Sequence, residues 1–338
     1  MSLQSGSTAI ELSVAPEAVW ALLTGPGLRD WYYRLAAHGT FAPGERIAWK
    51  DANGEKLEDS EVVEVEPPSR LVFRTRFLFS PGLATLQPHL ITWEVAPKGD
   101  GSTVRMSWEA ESDVARLLDS DAGGQLKGLR LAADPAARAE LERLPEIGRV
   151  EVRDVTPERV PDWLEFFDHR AFADFPVWQF CYCMETHRTQ SEEEWMRRTR
   201  DDNRRDMSEM IRSGDVTGLL AYVDGKAVGW CNYGPTTRLG GVMMKLGLEA
   251  PEHEGVGSVA CFVIAAPYRG HGVATKLLDA AIARLRDRGL RAVEAYPSRS
   301  ANPSAQSHYR GAMAMFLHAG FEPYRERERY LILRKTLA

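Results

Sequence analysis

The chain has 338 residues, of which 44% are hydrophobic and 27% charged, with a net charge of −6. This length exceeds one typical domain, so we expect two. Because the net charge is negative and nucleic-acid-binding proteins have an excess of basic residues, we do not expect nucleic acid as a partner. No apolar run is as long as a membrane span and no charged-then-apolar leader opens the chain, so we expect a cytoplasmic protein without membrane partners.

Four cysteines, the first at residue 181, are too few for a disulfide framework. Cys181 and Cys183 are separated by one residue, whereas zinc knuckles and redox motifs have two, and no second pair completes a metal site. We therefore expect reduced thiols and no bound metal.

The first part of the chain predicts a strand, two helical pieces and an antiparallel meander. Residues 8–14 are typical of a strand, and Pro16 opens a short helix that reaches residue 23. Leu28, Trp31 and Tyr32 indicate a second helical piece. Turn residues then separate predicted strands at 46–50, 56–66, 70–77, 89–96 and 103–110.

This order resembles the START-like (SRPBCC) superfamily, in its branch related to the activator of Hsp90 ATPase. Segments 14–20, 67–73 and 92–95 carry the likeness. The resemblance implies a helix-grip fold, in which a curved sheet wraps around a long C-terminal helix and encloses a cavity for an apolar ligand.

The last helix of this domain departs from that pattern. It is predicted in two pieces, 125–132 and 136–144, because Asp134-Pro135 is a helix-start signal. The tryptophans of the domain are interpreted as core residues, with the walls of a ligand pocket as the alternative: Trp20, Trp31, Trp49, Trp93 and Trp108.

Residues 145–148 are predicted to form a linker, which sets the two domains at 1–144 and 149–338. In the second domain helices and strands alternate, and Asp224-Gly225 indicates a tight hairpin turn. The predicted strands are 150–154, 218–223, 227–233, 259–265, 291–296, 322–327 and 330–335. The predicted helices are 156–173, 191–212, 274–288 and 308–319.

A glycine-rich turn, Arg269-Gly270-His271-Gly272, joins the strand at 259–265 to the helix at 274–288. Glycines without a Cβ let backbone N–H groups approach a ligand, and the free N–H groups of a helix start face the same point. Such a turn binds phosphate, although its spacing is neither that of a P-loop nor that of a Rossmann turn. A glycine turn without a ligand is the alternative.

The segment Arg269-x-x-Gly272-x-Ala274 resembles motif A of the GNAT superfamily of N-acetyltransferases, and segments 224–229 and 315–321 resemble two further motifs of that family. The resemblance covers the whole second domain. It implies a mixed central sheet and acetyl-CoA as co-substrate. The pantetheine arm of acetyl-CoA would then lie along Phe262, Val263 and Ile264. The residues implied to hold the pyrophosphate are Arg269, Gly270, His271, Gly272, Val273, Ala274 and Thr275.

Phe316 stands where the family has the Tyr that protonates the leaving thiolate. Tyr309, seven residues earlier on the same predicted helix, is the substitute we test, as are His308 and His318. Candidates for a base acting through water precede the strand at 259–265, and these are Glu252, His253 and Glu254. Surface solvation is the alternative for each. A covalent route through Cys261 lacks an evident His–Asp partner arrangement.

Substrate specificity is predicted to come from segments 180–184 and 238–254. The acidic residues Asp201, Asp202, Asp206 and Glu209 either attract a cationic amine or mark a solvated helix face.

The sequence as a whole predicts an α+β protein of two domains. We expect an acetyl-CoA-dependent N-acetyltransferase that acts on a primary amine of a small molecule or peptide, with an N-terminal domain that binds an apolar ligand. The alternative is a ligand-sensing or co-chaperone-like protein whose GNAT domain binds CoA with weak turnover. The chain either acts alone or forms a homodimer.

Overall fold

The structure, a computed structural model, describes residues 3–143, 147–299, 305–327 and 330–337. The chain forms two compact units: unit 1 comprises Met1–Glu142, Asp174–Phe180 and Gln190–Asp202, and unit 2 comprises Arg143–Ala173, Cys181–Thr189 and Asn203–Ala338. Segments 174–180 and 190–202, which the predicted boundaries place in the second domain, thus lie in unit 1. Residues 145 and 146 of the predicted linker lie outside the described residues.

Unit 1 is built on one antiparallel sheet of eight strands in the order β1-β8-β7-β6-β5-β4-β3-β2. Along the chain these are β1 Gln4–Leu12, β2 Leu28–Arg29, β3 Leu35–His38, β4 Arg46–Lys50, β5 Lys56–Glu66, β6 Arg70–Phe77, β7 His89–Lys98 and β8 Gly101–Ala110. Alternate side chains of β7 and β8 are buried, as the period of two along a strand requires.

Two helices, α1 Pro16–Thr24 and α2 Pro81–Ala84, lie between strands of this sheet, and α3 Ser112–Ala133 and α4 Pro135–Glu142 follow its last strand. Helix α3 packs against β1 and β8 and buries Leu126 and Leu129 in the core. The predicted break of the last helix is confirmed. It falls at Asp134, whose carboxylate accepts hydrogen bonds at 3.0 Å from the N–H groups of Ala136 and Ala137.

Two predictions for unit 1 were wrong. The helical piece expected at 28–32 is instead β2 and a tight turn into β3, where Tyr33 and Arg34 have φ angles of 50° and 60°. Burial of Trp31 and Tyr32 in the core outweighs the helical spacing there. Helix α3 begins well before residue 125, because packing on the sheet outweighs the low helix propensity of its glycines.

The interior of unit 1 is filled by its own side chains. Trp31, Trp49, Trp93 and Trp108 are buried in one cluster, which confirms them as core residues, whereas Trp20 is partly buried at its margin. Trp31, Trp49 and Trp93 line a cavity of about 20 Å³, enough for one water molecule.

A carboxyl group lies inside this core. Glu58 is 5% exposed and accepts a hydrogen bond from the Tyr32 hydroxyl at 2.7 Å. Burial raises the pKa of Glu58 from 4.5 to about 7, and the hydrogen bond from Tyr32 opposes this shift only in part. In the folded protein the Glu58 carboxyl is therefore mostly protonated, and so neutral, below about pH 7.

Replacing this carboxyl should stabilise the protein in alkaline conditions. The folded protein binds more protons than the unfolded chain between pH 4.5 and about 7, so the contribution of Glu58 to the free energy of unfolding falls as pH rises through that window. We expect Glu58→Gln to raise the free energy of unfolding by ~2–3 kcal/mol at pH 8 and to change it little at pH 4.5. Urea denaturation at both pH values measures this, with the exposed Glu66→Gln as control. Equal effects at both pH values would contradict it.

Unit 2 is built on one mixed sheet of seven strands in the order β14-β15-β13-β12-β11-β10-β9. These are β9 Glu151–Asp154, β10 Gly218–Val223, β11 Lys226–Pro235, β12 Val256–Ile264, β13 Ala292–Ala295, β14 Glu322–Glu326 and β15 Leu331–Thr336. Strands β12 and β13 run parallel, whereas the neighbouring pairs are antiparallel. The predicted hairpin turn is confirmed, with φ angles of 49° at Asp224 and 76° at Gly225.

The helices after residue 147 are α5 Val160–His169, α6 Glu192–Met196, α7 Arg200–Ser213, α8 Gly240–Leu246, α9 Val273–Asp287 and α10 Met313–His318. Helix α9 packs on β10, β11 and β12 and buries Leu277 and Leu278 in the core of unit 2. None of the helices in the described part of the chain is long and apolar enough to cross a membrane.

Three helix predictions after residue 147 need correction. The helix expected at 156–173 ends at His169, and the one expected at 191–212 is two helices. Thr199 starts the second of these, because its N–H donates to the Asp202 carboxylate at 2.9 Å while its hydroxyl accepts from the Asp202 N–H at 3.2 Å. The helix expected at 308–319 is a short 3-10 helix, Ala305–Arg310, followed by α10.

Gly311 separates these last two helices with a φ angle of 90°. Tyr309 and Phe316 therefore do not share the face of one α-helix, and the predicted reason for pairing them was wrong. Helix α8 also lies within segment 238–254, where the sequence predicts no helix.

Candidate active site

Strand β12 loses its parallel neighbour halfway along its length. Its ladder with β13 covers Val256–Val259 against Ala292–Ala295, and in the described part of the sheet β12 continues to Ile264 alongside β11 alone. Parallel strands that separate in this way leave free backbone N–H and C=O groups in the middle of a sheet. The edge so exposed is called the open edge of β12 below.

A β-bulge lies where the open edge begins. Asn232 of β11 pairs with Cys261 and Tyr233 pairs with Val259, so Ala260 is an extra residue on β12. Bulges bend a strand and redirect its side chains, and they are frequent beside active sites. Here Val259 packs with the α9 core, whereas Ala260 packs in a second cluster with Val242 of α8.

The glycine turn forms the start of α9. Gly270 and Gly272 have φ angles of 78° and 74°, which a residue with a side chain rarely adopts. The space beside each is open, since no heavy atom beyond the adjoining residues stands within 4 Å of where a Cβ would lie. The first helical hydrogen bond runs from Lys276 N–H to Gly272 C=O at 3.0 Å, so the N–H groups of Val273, Ala274 and Thr275 have no acceptor within the helix.

Two side chains flank this turn. Arg269 Nε donates to the Ile264 carbonyl at 2.9 Å, which ties the turn to the end of β12. His271 Nε2 is buried and has no hydrogen-bond partner among the described residues. Open space, free helix N–H groups and an unpartnered imidazole nitrogen fit the diphosphate of a CoA molecule.

The residues predicted to hold the pantetheine arm offer backbone rather than side-chain groups. Phe262 and Val263 are 6% and 8% exposed, and Ile264 is partly buried. The Phe262 ring lies 6.2 Å from that of Phe316, centroid to centroid. Phe316 is fully buried and also contacts Phe321, so the position of the family's usual Tyr is part of the apolar core.

Among the acid candidates, Tyr309 is held in a polar cluster. Its hydroxyl oxygen lies 3.2 Å from the Tyr330 hydroxyl, 3.1 Å from Arg310 Nε and 3.5 Å from Lys245 Nζ. Burial raises the pKa of Tyr309 well above its usual value, although the charge of Arg310 opposes this. The His308 ring is partly buried and has no hydrogen-bond partner among the described residues. The His318 ring forms a hydrogen bond within its own helix, with Nδ1 at 2.7 Å from the Ala314 carbonyl oxygen.

The base candidates divide between surface and core. Glu254 is exposed, and Glu252 is exposed and pairs with Arg325 at 3.2 Å. His253 is 3% exposed, and its Nε2 lies 3.3 Å from the Glu294 carboxylate.

Glu294 begins a buried polar chain that sequence reasoning missed. The Tyr296 hydroxyl donates to Glu294 at 3.1 Å and lies 2.6 Å from the Ser258 hydroxyl on β12. Arg334 Nε donates to the same carboxylate at 2.8 Å. The chain from His253 therefore ends at Ser258, in the part of β12 that pairs with β13. A fully buried acid within the apolar strand β13 was the signal that could have revealed it.

The cysteines near β12 have no catalytic partner among the described residues. Cys183 Sγ lies 2.9 Å from Cys261 Sγ, and burial raises the pKa of the Cys183 thiol. No group of three His, Cys, Asp or Glu side chains in the described residues is arranged to hold a metal ion.

An ion pair joins the predicted specificity segment 238–254 to the residue that follows segment 180–184. Glu185, just after segment 180–184, pairs with Lys245, which lies in segment 238–254. The acidic residues of α7 behave mostly as surface groups. Asp201 and Glu209 are exposed, whereas Asp202 caps the helix and bonds Arg116 at 3.0 Å.

Fold and site together define an α+β protein with a helix-grip unit and a mixed-sheet unit that opens beside a glycine turn. Residues 180–312 match the model of the acetyltransferase (GNAT) family, and residues 13–126 match that of the activator of Hsp90 ATPase homolog 1-like proteins. The chain therefore carries a GNAT acetyltransferase domain and an AHSA1 domain of START-like fold. No curated protein matches the chain.

Several solved structures are similar to parts of the chain. An N-acetyltransferase from Staphylococcus aureus Mu50 is 14% identical, covers 56% of this chain and 100% of its own, and has a TM-score of 0.36. The PaiA N-acetyltransferase from Thermoplasma acidophilum, in complex with coenzyme A, has the same identity and TM-score and covers 56% and 99%. The Aha1 dimer from Colwellia psychrerythraea is 18% identical, covers 38% and 96%, and has a TM-score of 0.32.

Proposed function

We propose that the GNAT domain transfers an acetyl group from acetyl-CoA to a primary amine. The observation that carries this proposal is the open edge of β12 beside the glycine turn at the start of α9. The turn supplies a diphosphate site, and the edge supplies unpaired backbone groups for the pantetheine amides and the thioester carbonyl. Both lie on one strand–turn–helix segment, tied together by Arg269.

The transfer requires a polarised carbonyl, a deprotonated amine and a proton for the leaving thiolate. A free N–H of β12 would stabilise the charge on the carbonyl oxygen as the amine attacks. The buried chain His253–Glu294–Tyr296–Ser258 is the route we assign for removal of the amine's proton. Tyr309 is the donor we assign for the thiolate, because its hydroxyl proton is held in a hydrogen-bonded cluster whose 3-10 helix packs on β12.

A thiol-release assay tests this function. The full chain with acetyl-CoA should release CoA when one member of a panel of primary amines is added, and not with the matching N-acetylated amines. CoA binding without release for any amine would favour the second candidate, a CoA-binding sensor or co-chaperone-like protein. The apolar Phe316 at the usual Tyr position is the observation behind that candidate.

A covalent acetyl-cysteine route makes a different prediction. Cys261 contacts the Cys183 thiol rather than an imidazole, so none of the residues that the structure describes activates it as a nucleophile. We expect Cys261→Ala to keep the rate of thiol release within about threefold, with the neighbouring Cys231→Ala as a packing control. Loss of activity in the first variant alone would establish the covalent route instead.

A further inference from the structure

Five polar side chains of unit 2 form a cluster, and only one of them, Tyr309, has a role in the proposed transfer. They are Glu185, Lys245, Tyr309, Arg310 and Tyr330, and are called the Tyr330 cluster. Tyr309 and Arg310 end the 3-10 helix that packs on β12, and Lys245 lies on α8. The cluster thus joins the predicted specificity segment 238–254 to the strand that carries the open edge.

The charges of the cluster are not balanced. Arg310 is fully buried, and within the described residues neither Nη1 nor Nη2 has a hydrogen-bond partner. Its nearest acid is Glu185, at 3.8 Å from Nη2, and this carboxylate is already paired with Lys245. Two cations therefore share one anion, and a desolvated guanidinium without full pairing is costly.

The field of these cations is visible on the neighbouring acid. Burial raises the pKa of Glu185, but the charges of Lys245 and Arg310 outweigh burial and hold it below its usual value. Glu185 is therefore ionised at neutral pH, and the cluster still has one positive charge in excess.

The hydrogen bonds of the cluster have one consistent direction. The Tyr309 oxygen accepts from Arg310 Nε at 3.1 Å and faces Lys245 Nζ at 3.5 Å, so until a thiolate forms its own proton is directed to the Tyr330 oxygen at 3.2 Å. The Tyr330 proton is then left for an acceptor, and none is found in the described chain. Burial raises the pKa of Tyr330, but Lys245, the bond from Tyr309 and Arg310 lower it below its usual value.

Two members of the cluster are partly accessible to solvent. The Lys245 side chain is 35% exposed and Tyr330 is partly exposed, whereas Arg310 lies beneath the Tyr309 and Tyr330 rings, at 5.1 and 5.2 Å from their centroids. A hydroxyl donor, an ammonium group and one excess positive charge are complementary to a single carboxylate.

We propose that the Tyr330 cluster binds a carboxylate of the acceptor, so that the acceptor is an amine bearing a carboxylate, such as an amino acid or a short peptide. The inference rests on the proposed function and names its substrate class. The Tyr330 hydroxyl and Lys245 make the direct contacts, and Arg310 supplies the buried charge behind them.

Binding of product analogues tests the proposal without requiring turnover. Pairs of N-acetyl-amino acids and their carboxamides, with small, aliphatic and aromatic side chains, are titrated by calorimetry into the full chain in the presence of CoA. In at least one pair the carboxylate should bind about tenfold more tightly than the carboxamide. Tyr330→Phe and Lys245→Gln should each remove most of that preference, because they weaken carboxylate binding more than carboxamide binding.

Tyr324→Phe is the matched control, because Tyr324 also stacks on an arginine, with Arg334 at 3.5 Å from its ring, but lies outside the cluster. Absence of a carboxylate preference in every pair, or a preference that survives in both cluster variants, overturns the proposal. So does a matched phosphonate that binds more tightly than the carboxylate. Turnover of neutral amines alone would reject this acceptor class and leave the transferase function standing, whereas carboxylate binding without CoA binding would reject the function instead.

Discussion

Gly272→Asp is expected to abolish CoA binding. Gly272 is the residue before the first turn of α9, with a φ angle of 74° and open space where its Cβ would lie. A carboxylate there would occupy the diphosphate position and repel its charge, while accepting the helix N–H groups that the phosphates need. Isothermal titration with CoA should show the dissociation constant weakened by at least about a hundredfold, the loss of roughly two charge-assisted hydrogen bonds.

Gly289→Asp is the matched control for this variant. Gly289 follows α9, has the same φ angle of 74° and is equally open, so the substitution brings the same backbone strain and the same charge to the opposite end of the helix. We expect CoA affinity within a few-fold of the original chain in this control. Unchanged affinity in Gly272→Asp, or an equal loss in both variants, would contradict the assignment of the turn.

The glycine turn could be predicted because its structure is set locally. Gly270 and Gly272 are needed for left-handed backbone, and the apolar spacing of the following residues determines the buried face of α9. The same holds for the hairpin at Asp224-Gly225 and for the helix break at Asp134. In each case a few consecutive residues contain the whole physical cause.

The open edge of β12 could not be predicted in this way. It depends on where β13 stops pairing and on the extra residue Ala260, which are properties of strand register between distant segments. The Glu294 chain and the Tyr330 cluster are likewise assembled from segments far apart in sequence. The sequence contains these residues but does not show that they are close in space, because only the fold brings Glu185 to Lys245 or His253 to Glu294.

The ends of the long helices were predicted wrongly, because tertiary packing and side-chain caps decide where a helix ends. Thr199 and Asp202 form a capping box inside what looked like one continuous helix. Gly311 likewise ends the segment that was expected to carry Tyr309 and Phe316 together. The case for Tyr309 therefore now rests on its contacts rather than on helical spacing.

Tyr309→Phe is expected to reduce kcat by about a hundredfold or more, with little change in acetyl-CoA affinity. The substitution keeps the ring that stacks on Arg310 and removes the proton that we assign to the leaving thiolate. Burial raises the pKa of the Tyr309 hydroxyl, so it stays protonated throughout the neutral range, but the same shift lowers the driving force for giving its proton to a thiolate. Steady-state thiol release with a verified amine gives kcat, and calorimetry gives the affinity for CoA.

A purely structural role for Tyr309 would give a different pattern. Loss of its hydroxyl also releases Arg310 Nε and the bond to Tyr330, so a structural effect would lower the melting temperature and alter acceptor KM before kcat. Tyr330→Phe breaks the same hydroxyl pair from the other side but leaves the Tyr309 proton in place. We expect this variant to raise acceptor KM while kcat falls by no more than a few-fold. If Tyr309→Phe instead keeps kcat within a few-fold, the thiolate takes its proton from water or from His308, and Tyr309 serves only to orient the cluster.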